Sequence, residues 1–123
     1  MTKPYDPSNI FARILRGEIP NKTVLETPHT LAFHDIGPQA PVHVLVIPKG
    51  AYVDFAAFAA EASADELVDF HRACAQVCDM LGLTGPEGYR AITNAGKHGM
   101  QEVPHYHLHI LGGRSLGRLV EPI

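Results

Sequence analysis

Several features that would point to familiar enzyme or binding classes are scarce or missing in this sequence. Only two cysteines occur among 123 residues. Cys74 and Cys78 lie four positions apart in a helical pattern, so they share a helix face and read as small buried side chains rather than a disulfide framework. No apolar run approaches the roughly 20 residues needed to span a bilayer. The opening residues, MTKPYD, are polar and contain proline, unlike a secretory leader. The protein is therefore expected in the cytoplasm, off the membrane, with Asn21-Lys22-Thr23 a chance match to a glycosylation sequon. The net charge is −3, and the ten lysines and arginines are scattered along the chain. A nucleic-acid polymer normally meets a basic cluster, so it is not an expected partner. There is no phosphate loop and no Gly-x-Gly-x-x-Gly turn. A bound phosphate would have to be held by histidines, amides and polar side chains.

What is present is enough for one compact domain. A chain of 123 residues with 46% hydrophobic and 19% charged residues can bury roughly two-thirds of its unfolded surface without a staple. Asp6-Pro7-Ser8-Asn9 offers cap residues before Ile10, Phe11, Ile14 and Leu15, which recur at helical spacing until Gly17 and Pro20. Strand-like runs follow at 23–26 and 30–35 around Thr27-Pro28-His29, and at 42–48, VHVLVIP. Ser63-Ala64-Asp65-Glu66 has the form of a capping box. Behind it Leu67, Phe70, Cys74, Val77, Cys78 and Leu81 form one apolar stripe. Runs at 88–95 and 104–111 complete the strands. Short connections favour antiparallel pairing. The expected fold is α+β: a meander sheet of about five strands, one short N-terminal helix and one long helix, in a single domain over 1–123 with a core at 9–114 and a tail at 115–123. An open sheet leaves an edge free to pair, so a homodimer is expected, with the long helix's stripe a second candidate contact.

His105, His107 and His109 alternate with Tyr106, Leu108 and Ile110. Along a strand such positions share a face at steps of about 6.5–7 Å, which would line the histidines along a cavity and turn the others to the core. Crowded imidazoles disfavour one another's protonation and stay neutral near pH 7, fit to act as nucleophile, base or metal ligand. Zinc needs three such ligands and an open position, with acceptors behind them such as Glu102 or Glu121. Cys74 and Cys78, in mid-helix, lack the dipole that would activate a thiolate.

The stretch 101–114, QEVPHYHLHILGGR, resembles the signature of the histidine-triad superfamily, His-φ-His-φ-His-φ-φ with φ apolar. Gly112-Gly113 is similar to the branch of histidine-triad nucleotide-binding proteins, the Hint branch, rather than the fragile-histidine-triad branch with Pro-Arg there. Ile10-Phe11, residues 31–36, Pro38-Gln39-Ala40-Pro41, His43 and residues 45–48 match that branch too. The resemblance covers essentially 9–114. It implies a hydrolase acting on purine nucleoside 5′-phosphoramidates or acyl adenylates, without cofactor or metal. His107 would attack phosphorus, giving a nucleotidyl-histidine that water resolves, and His109 would serve a phosphate oxygen or the leaving amine. His105 and His43 would support them. Asp35 would take the ribose hydroxyls, a role that competes with a plain turn function before Gly37-Pro38. Ile10, Phe11, Phe33, His34, Ile36 and Leu45 would line the base pocket; Asn94, Gln101, Glu102 and Val103 would surround the phosphate. Glu102 stands where some members carry serine, and Met100 where glycine is frequent. Because His109 is histidine rather than the glutamine of the nucleotidyl-transferase branch, hydrolysis is favoured over transfer. A nucleotide-binding regulatory module and a zinc hydrolase are the alternative readings.

Overall fold

The structure, a computed structural model, describes residues 4–122, so residues 1–3 of the opening segment and residue 123 of the tail lie outside it. Helix α1, Ile10–Leu15, starts where the Asn9 side chain accepts the Ala12 N–H at 2.9 Å. Strands β1, Thr23–Glu26, β2, Thr30–His34, and β3, Val42–Pro48, follow. Helices α2, Phe55–Glu61, and α3, Ala64–Met80, lead to β4, Tyr89–Ile92, and β5, Leu108–Gly112. The expected capping box is present in full. Ser63 Oγ accepts the Glu66 N–H, and the Glu66 carboxylate accepts the Ser63 N–H, each at 3.1 Å. The same helix ends in a left-handed Gly82, φ 70°, with Gly82 N–H bonded to Asp79 O and Leu83 N–H to Cys78 O. Glycine reaches that φ without the cost a side chain would add.

Three features differ from the sequence reading. The sheet is antiparallel throughout but is not a simple meander: its order is β1-β2-β3-β5-β4. The two helices between β3 and β4 carry the chain across one face to the far edge, and β5 returns to fill the gap beside β3. Helix α2 was not expected. Of its seven residues only Phe58 is buried, so no apolar period announces it; its signals are the alanines and the Asp54 cap on Ala57 N–H. The last strand begins at Leu108 rather than 104, because residues 104–107 turn to reach backbone partners described below.

The period-two pattern divides the interior cleanly. Val44 and Val46 of β3 and Ile110 of β5 join Phe58, Phe70, Val77 and Tyr106 in one core, beneath the helix pair. Leu45 and Ile47 point the other way and pack with Phe11, Ile14, Leu31 and Phe33 in a second cluster under α1. The α3 stripe is therefore consumed by the molecule's own sheet, leaving only flanking residues such as Val68 and Met80 exposed. Each buried Phe or Val contributes about 1.5–3 kcal/mol by leaving water, so the helix face holds the sheet rather than waiting for a partner.

One carboxylate ties α3 to the β1–β2 turn. Asp69 Oδ2 accepts from Thr27 Oγ1 at 2.6 Å, Thr30 Oγ1 at 2.7 Å and His29 N–H at 3.1 Å. These bonds hold its pKa below the ordinary carboxylate value despite opposing burial. Asp69→Ala leaves three donors without their acceptor and should cost roughly 2–3 kcal/mol. Urea unfolding should show a lower midpoint with an unchanged slope; a midpoint equal to that of the unmodified protein would contradict this role.

Candidate functional site

The face under α1 carries the four histidines singled out above. The alternation holds in space, although only His109 lies within β5. Tyr106 and Ile110 enter the helix-side core, with Leu108 against it. The rings of His105 and His107 lie 6.4 and 4.9 Å from Phe11, and His109 lies 5.0 Å from His107 and 5.2 Å from His43. The expectation that all three rings face an open cavity is not met. His105 is 0% exposed and His107 only 6%, because α1 closes over them.

Backbone partners decide the tautomers of His43, His105 and His107, since an amide N–H only donates and a carbonyl only accepts, and His43 then decides that of His109. Gln39 N–H points at His43 Nδ1 at 3.1 Å. His43 therefore carries its proton on Nε2, which donates to His109 Nδ1 at 2.9 Å and lies 3.4 Å from Asp35 Oδ2. His109, accepting at Nδ1, keeps its proton on Nε2. His107 donates Nδ1–H to the carbonyl of His105 at 2.7 Å, so its Nε2 holds a free lone pair. His105 donates Nε2–H to Pro48 O at 2.8 Å and accepts the Tyr5 hydroxyl at Nδ1, 2.6 Å away.

Burial lowers the pKa of His105, His107 and His109. Desolvation pushes His105 down to about 4 against its bond to Pro48 O. It does the same for His109, to about 4, helped by His107 and His43. His107 is also lowered by burial, while its bond to the His105 carbonyl and the carboxylates of Asp35 and Glu102 pull upward. The arrangement thus presents one nucleophilic nitrogen beside one imidazole N–H donor.

Among the described residues, Asp35, His43 and His109 have ligand atoms within 4.8 Å of one another, a spacing a metal ion could use. The donor chemistry does not fit. His43 Nε2, the ligand atom nearest His109, carries the ring's only proton while Gln39 holds the other nitrogen. A metal there needs either an imidazolate or a broken Gln39 bond, so three positions do not supply three lone pairs.

Comparison with known proteins agrees with this geometry. The model of the HIT domain matches residues 16–116. The chain belongs to the HIT family. An uncharacterized 13.2 kDa HIT-like protein of Azospirillum brasilense is 57% identical over 120 residues, covering 98% of each chain. A HIT family hydrolase from Clostridium thermocellum superposes with a TM-score of 0.79 at 37% identity, over 93% of this chain and 97% of that one. A histidine triad nucleotide-binding protein from Candida albicans gives 0.76 at 32% identity, over 94% and 86%.

Against this HIT fold, the other site residues expected from sequence fall into three groups. Phe11, Phe33 and Leu45 are buried together beside His107, with Val103 packed against them. Asp35 does serve the turn, its Oδ1 accepting Gly37 N–H at 2.8 Å, while Oδ2 stays turned towards His43. Gln101 is committed to the backbone: its amide donates to Val53 O and Val103 O and accepts from Gly96 N–H. Asn94 is half-buried; Ile10, His34 and Glu102 are exposed, and Ile36 is 96% exposed. Met100 adopts φ 58°, a left-handed backbone that favours glycine. Sequence reasoning missed the Gln39 amide and the Pro48 carbonyl, because a backbone partner leaves no mark in residue type, and Tyr5, which lies a hundred residues from His105. Among the described residues no helix is long and apolar enough to cross a membrane.

The buried imidazoles make stability depend on pH. Unfolded histidines titrate near 6.5, whereas His105 and His109 titrate near 4 in the fold. Between these values the unfolded chain binds more protons, so stability is complete above pH 6.5 and declines as pH falls towards 4. The fully buried His105 alone accounts for on the order of 3 kcal/mol. Urea midpoints should be level from pH 7 to 8 and fall steadily below 6.5; a midpoint still level at pH 5 would show that the rings are not held neutral.

Proposed function

We propose that this HIT protein is a purine nucleoside phosphoramidase of the Hint branch, cleaving the P–N bond of nucleoside 5′-phosphoramidates or the mixed anhydride of acyl adenylates. The observation that carries the reading is the pairing of a free Nε2 lone pair on His107 with an Nε2–H on His109, rings 5.0 Å apart. Nucleophilic catalysis needs an activated atom whose ring is oriented by a third group, here the His105 carbonyl. His107 Nε2 attacks phosphorus, the amine departs with a proton, and water then cleaves the nucleotidyl-histidine. His109 Nε2–H donates to a phosphoryl oxygen or to the leaving nitrogen, and His43 keeps that ring's proton on the outer nitrogen. Phe11, Phe33 and Leu45 supply the apolar wall for a base. Asp35 Oδ2 is the acceptor for the ribose, with Oδ1 already held by the turn. The names of the Clostridium thermocellum and Candida albicans relatives, a hydrolase and a nucleotide-binding protein, support both halves of the reading.

His107→Asn tests it. Asparagine limits the void that alanine would leave against Phe11. The variant should lower kcat on an adenosine 5′-phosphoramidate by on the order of 10⁴, about 5.5 kcal/mol of barrier, with affinity for the nucleoside monophosphate changed far less. Acid-sensitive nucleotide should be trapped on the peptide containing His107 when the unmodified enzyme is quenched in turnover. A variant retaining a tenth of the activity, or an adduct elsewhere, overturns the assignment.

The functional unit in this proposal is a homodimer. Strand β4 is a sheet edge whose Tyr89 is half exposed, and an unpaired edge invites a second copy. Light scattering should give about twice the 13.4 kDa chain mass; a monomer at micromolar concentration refutes it.

A further inference from the structure

Tyr5 lies a hundred residues from the histidine it touches. Its hydroxyl meets His105 Nδ1 at 2.6 Å, and its ring stands edge-on to the imidazole with centroids 5.6 Å apart. His105 Nε2 already donates to the Pro48 carbonyl, so Nδ1 bears the lone pair and the tyrosine hydroxyl is the donor. The contact spans no loose end. Asp6 Oδ1 accepts from both the backbone N–H and the hydroxyl of Ser8, at 2.8 and 2.7 Å. Asn9 Nδ2 donates to Asp6 O at 2.8 Å while its Oδ1 caps α1, and an Arg16 N–H reaches Pro7 O at 2.8 Å. The segment from Tyr5 to Asn9 is thus a strap pinned to α1 at one end and to His105 at the other.

We infer that Tyr5 is a positioning residue for His107, acting through His105. The route is short. The carbonyl of His105 fixes His107 Nδ1–H at 2.7 Å, and the His105 ring is anchored at two points, Pro48 O and the Tyr5 hydroxyl. With one anchor gone, a ring that is 0% exposed loses its only donor at Nδ1. Its residue then gains freedom along the direction that carries the carbonyl, and a shift well under 1 Å there misaligns the nucleophile. Tyr5 touches no reacting atom, so its effect falls on kcat and not on nucleotide affinity. This role rests on the reading of His107 as nucleophile.

Tyr5→Phe removes one oxygen and keeps the ring against His105. In the full-length chain it should lower kcat on an adenosine 5′-phosphoramidate at least tenfold with KM within twofold. Exchange of the His107 Nδ1 proton, followed by nitrogen-resolved NMR, should speed up at least tenfold. Tyr52→Phe is the control for general loosening, since it loses the hydroxyl's bonds to Glu66 at 2.8 and 3.0 Å, and should change neither quantity. Should Tyr5→Phe fail to fold, Ser8→Ala, which removes one of Ser8's two bonds to Asp6 Oδ1, should show the same two effects to a lesser degree. An unaltered exchange rate, a kcat within twofold, or equal losses in the Tyr52 variant each overturn the proposal. If the unmodified protein turns over no phosphoramidate, the function reading fails while the proton exchange still decides the role of Tyr5.

Discussion

The bond from His107 Nδ1–H to the carbonyl of His105, at 2.7 Å, is the constraint on which the proposed chemistry depends. A neutral imidazole has one lone pair, and the carbonyl, which only accepts, forces it onto Nε2. Had the neighbour been an amide N–H, the same ring would have presented a proton at Nε2 instead of a lone pair. His43 shows that opposite case, its Nδ1 claimed by the Gln39 amide, so that it passes an N–H to His109. The two rings are chemically alike and are set to opposite tasks by the backbone each one meets.

Keeping His105, His107 and His109 neutral comes from burial, and burial comes from the two-sided sheet. Strand β3 is covered on both faces, with Val44 and Val46 at 0% exposure on the helix side. Its outward residues Leu45 and Ile47 form the floor on which α1 lays Phe11. Phe11 in turn sits edge-on to His107, excluding water that would stabilise an imidazolium. The same packing explains why the site tolerates two nearby carboxylates. Asp35 and Glu102 pull His107 towards protonation, but the desolvation cost exceeds their pull and the ring stays below its ordinary pKa.

How much of this was legible in the sequence follows from what leaves a periodic trace. The alternation of His105, His107 and His109 with Tyr106 and Ile110 predicted two faces, and two faces are found. The capping box at Ser63 and the stripe from Phe70 to Cys78 placed α3 closely, because caps and apolar periods are written in side chains. The strand order was not legible: nothing local tells β5 to slip between β3 and β4, which depends on how far the helix pair carries the chain. Helix α2 escaped because a helix with one buried residue has no period. The enclosure of His105 escaped for a related reason, since its partners are a carbonyl and a tyrosine that composition does not single out.

The loop before the triad shows how local strain is held in place for the site. Met100 sits at φ 58°, which costs a residue with a Cβ roughly 1–2 kcal/mol. The cost is met by a dense set of bonds around it: Met100 N–H to Lys97 O, Gln101 N–H to Gly96 O, and the Gln101 amide clamped to Val53 O and Val103 O. Those bonds fix the backbone on both sides of Glu102, whose charge acts on His107 without a direct contact to it. A glycine at position 100 would relieve the strain but would also widen the unfolded ensemble that the loop must be drawn from. The clamped glutamine thereby makes methionine sustainable here, and it fixes the backbone that carries Glu102 near the His107 ring. A charge so placed weakens the hold on a dianionic phosphate more than on a singly charged phosphoramidate, because the repulsion scales with the ligand's charge. In a hydrolase of the proposed kind that difference favours departure of the product over departure of the substrate.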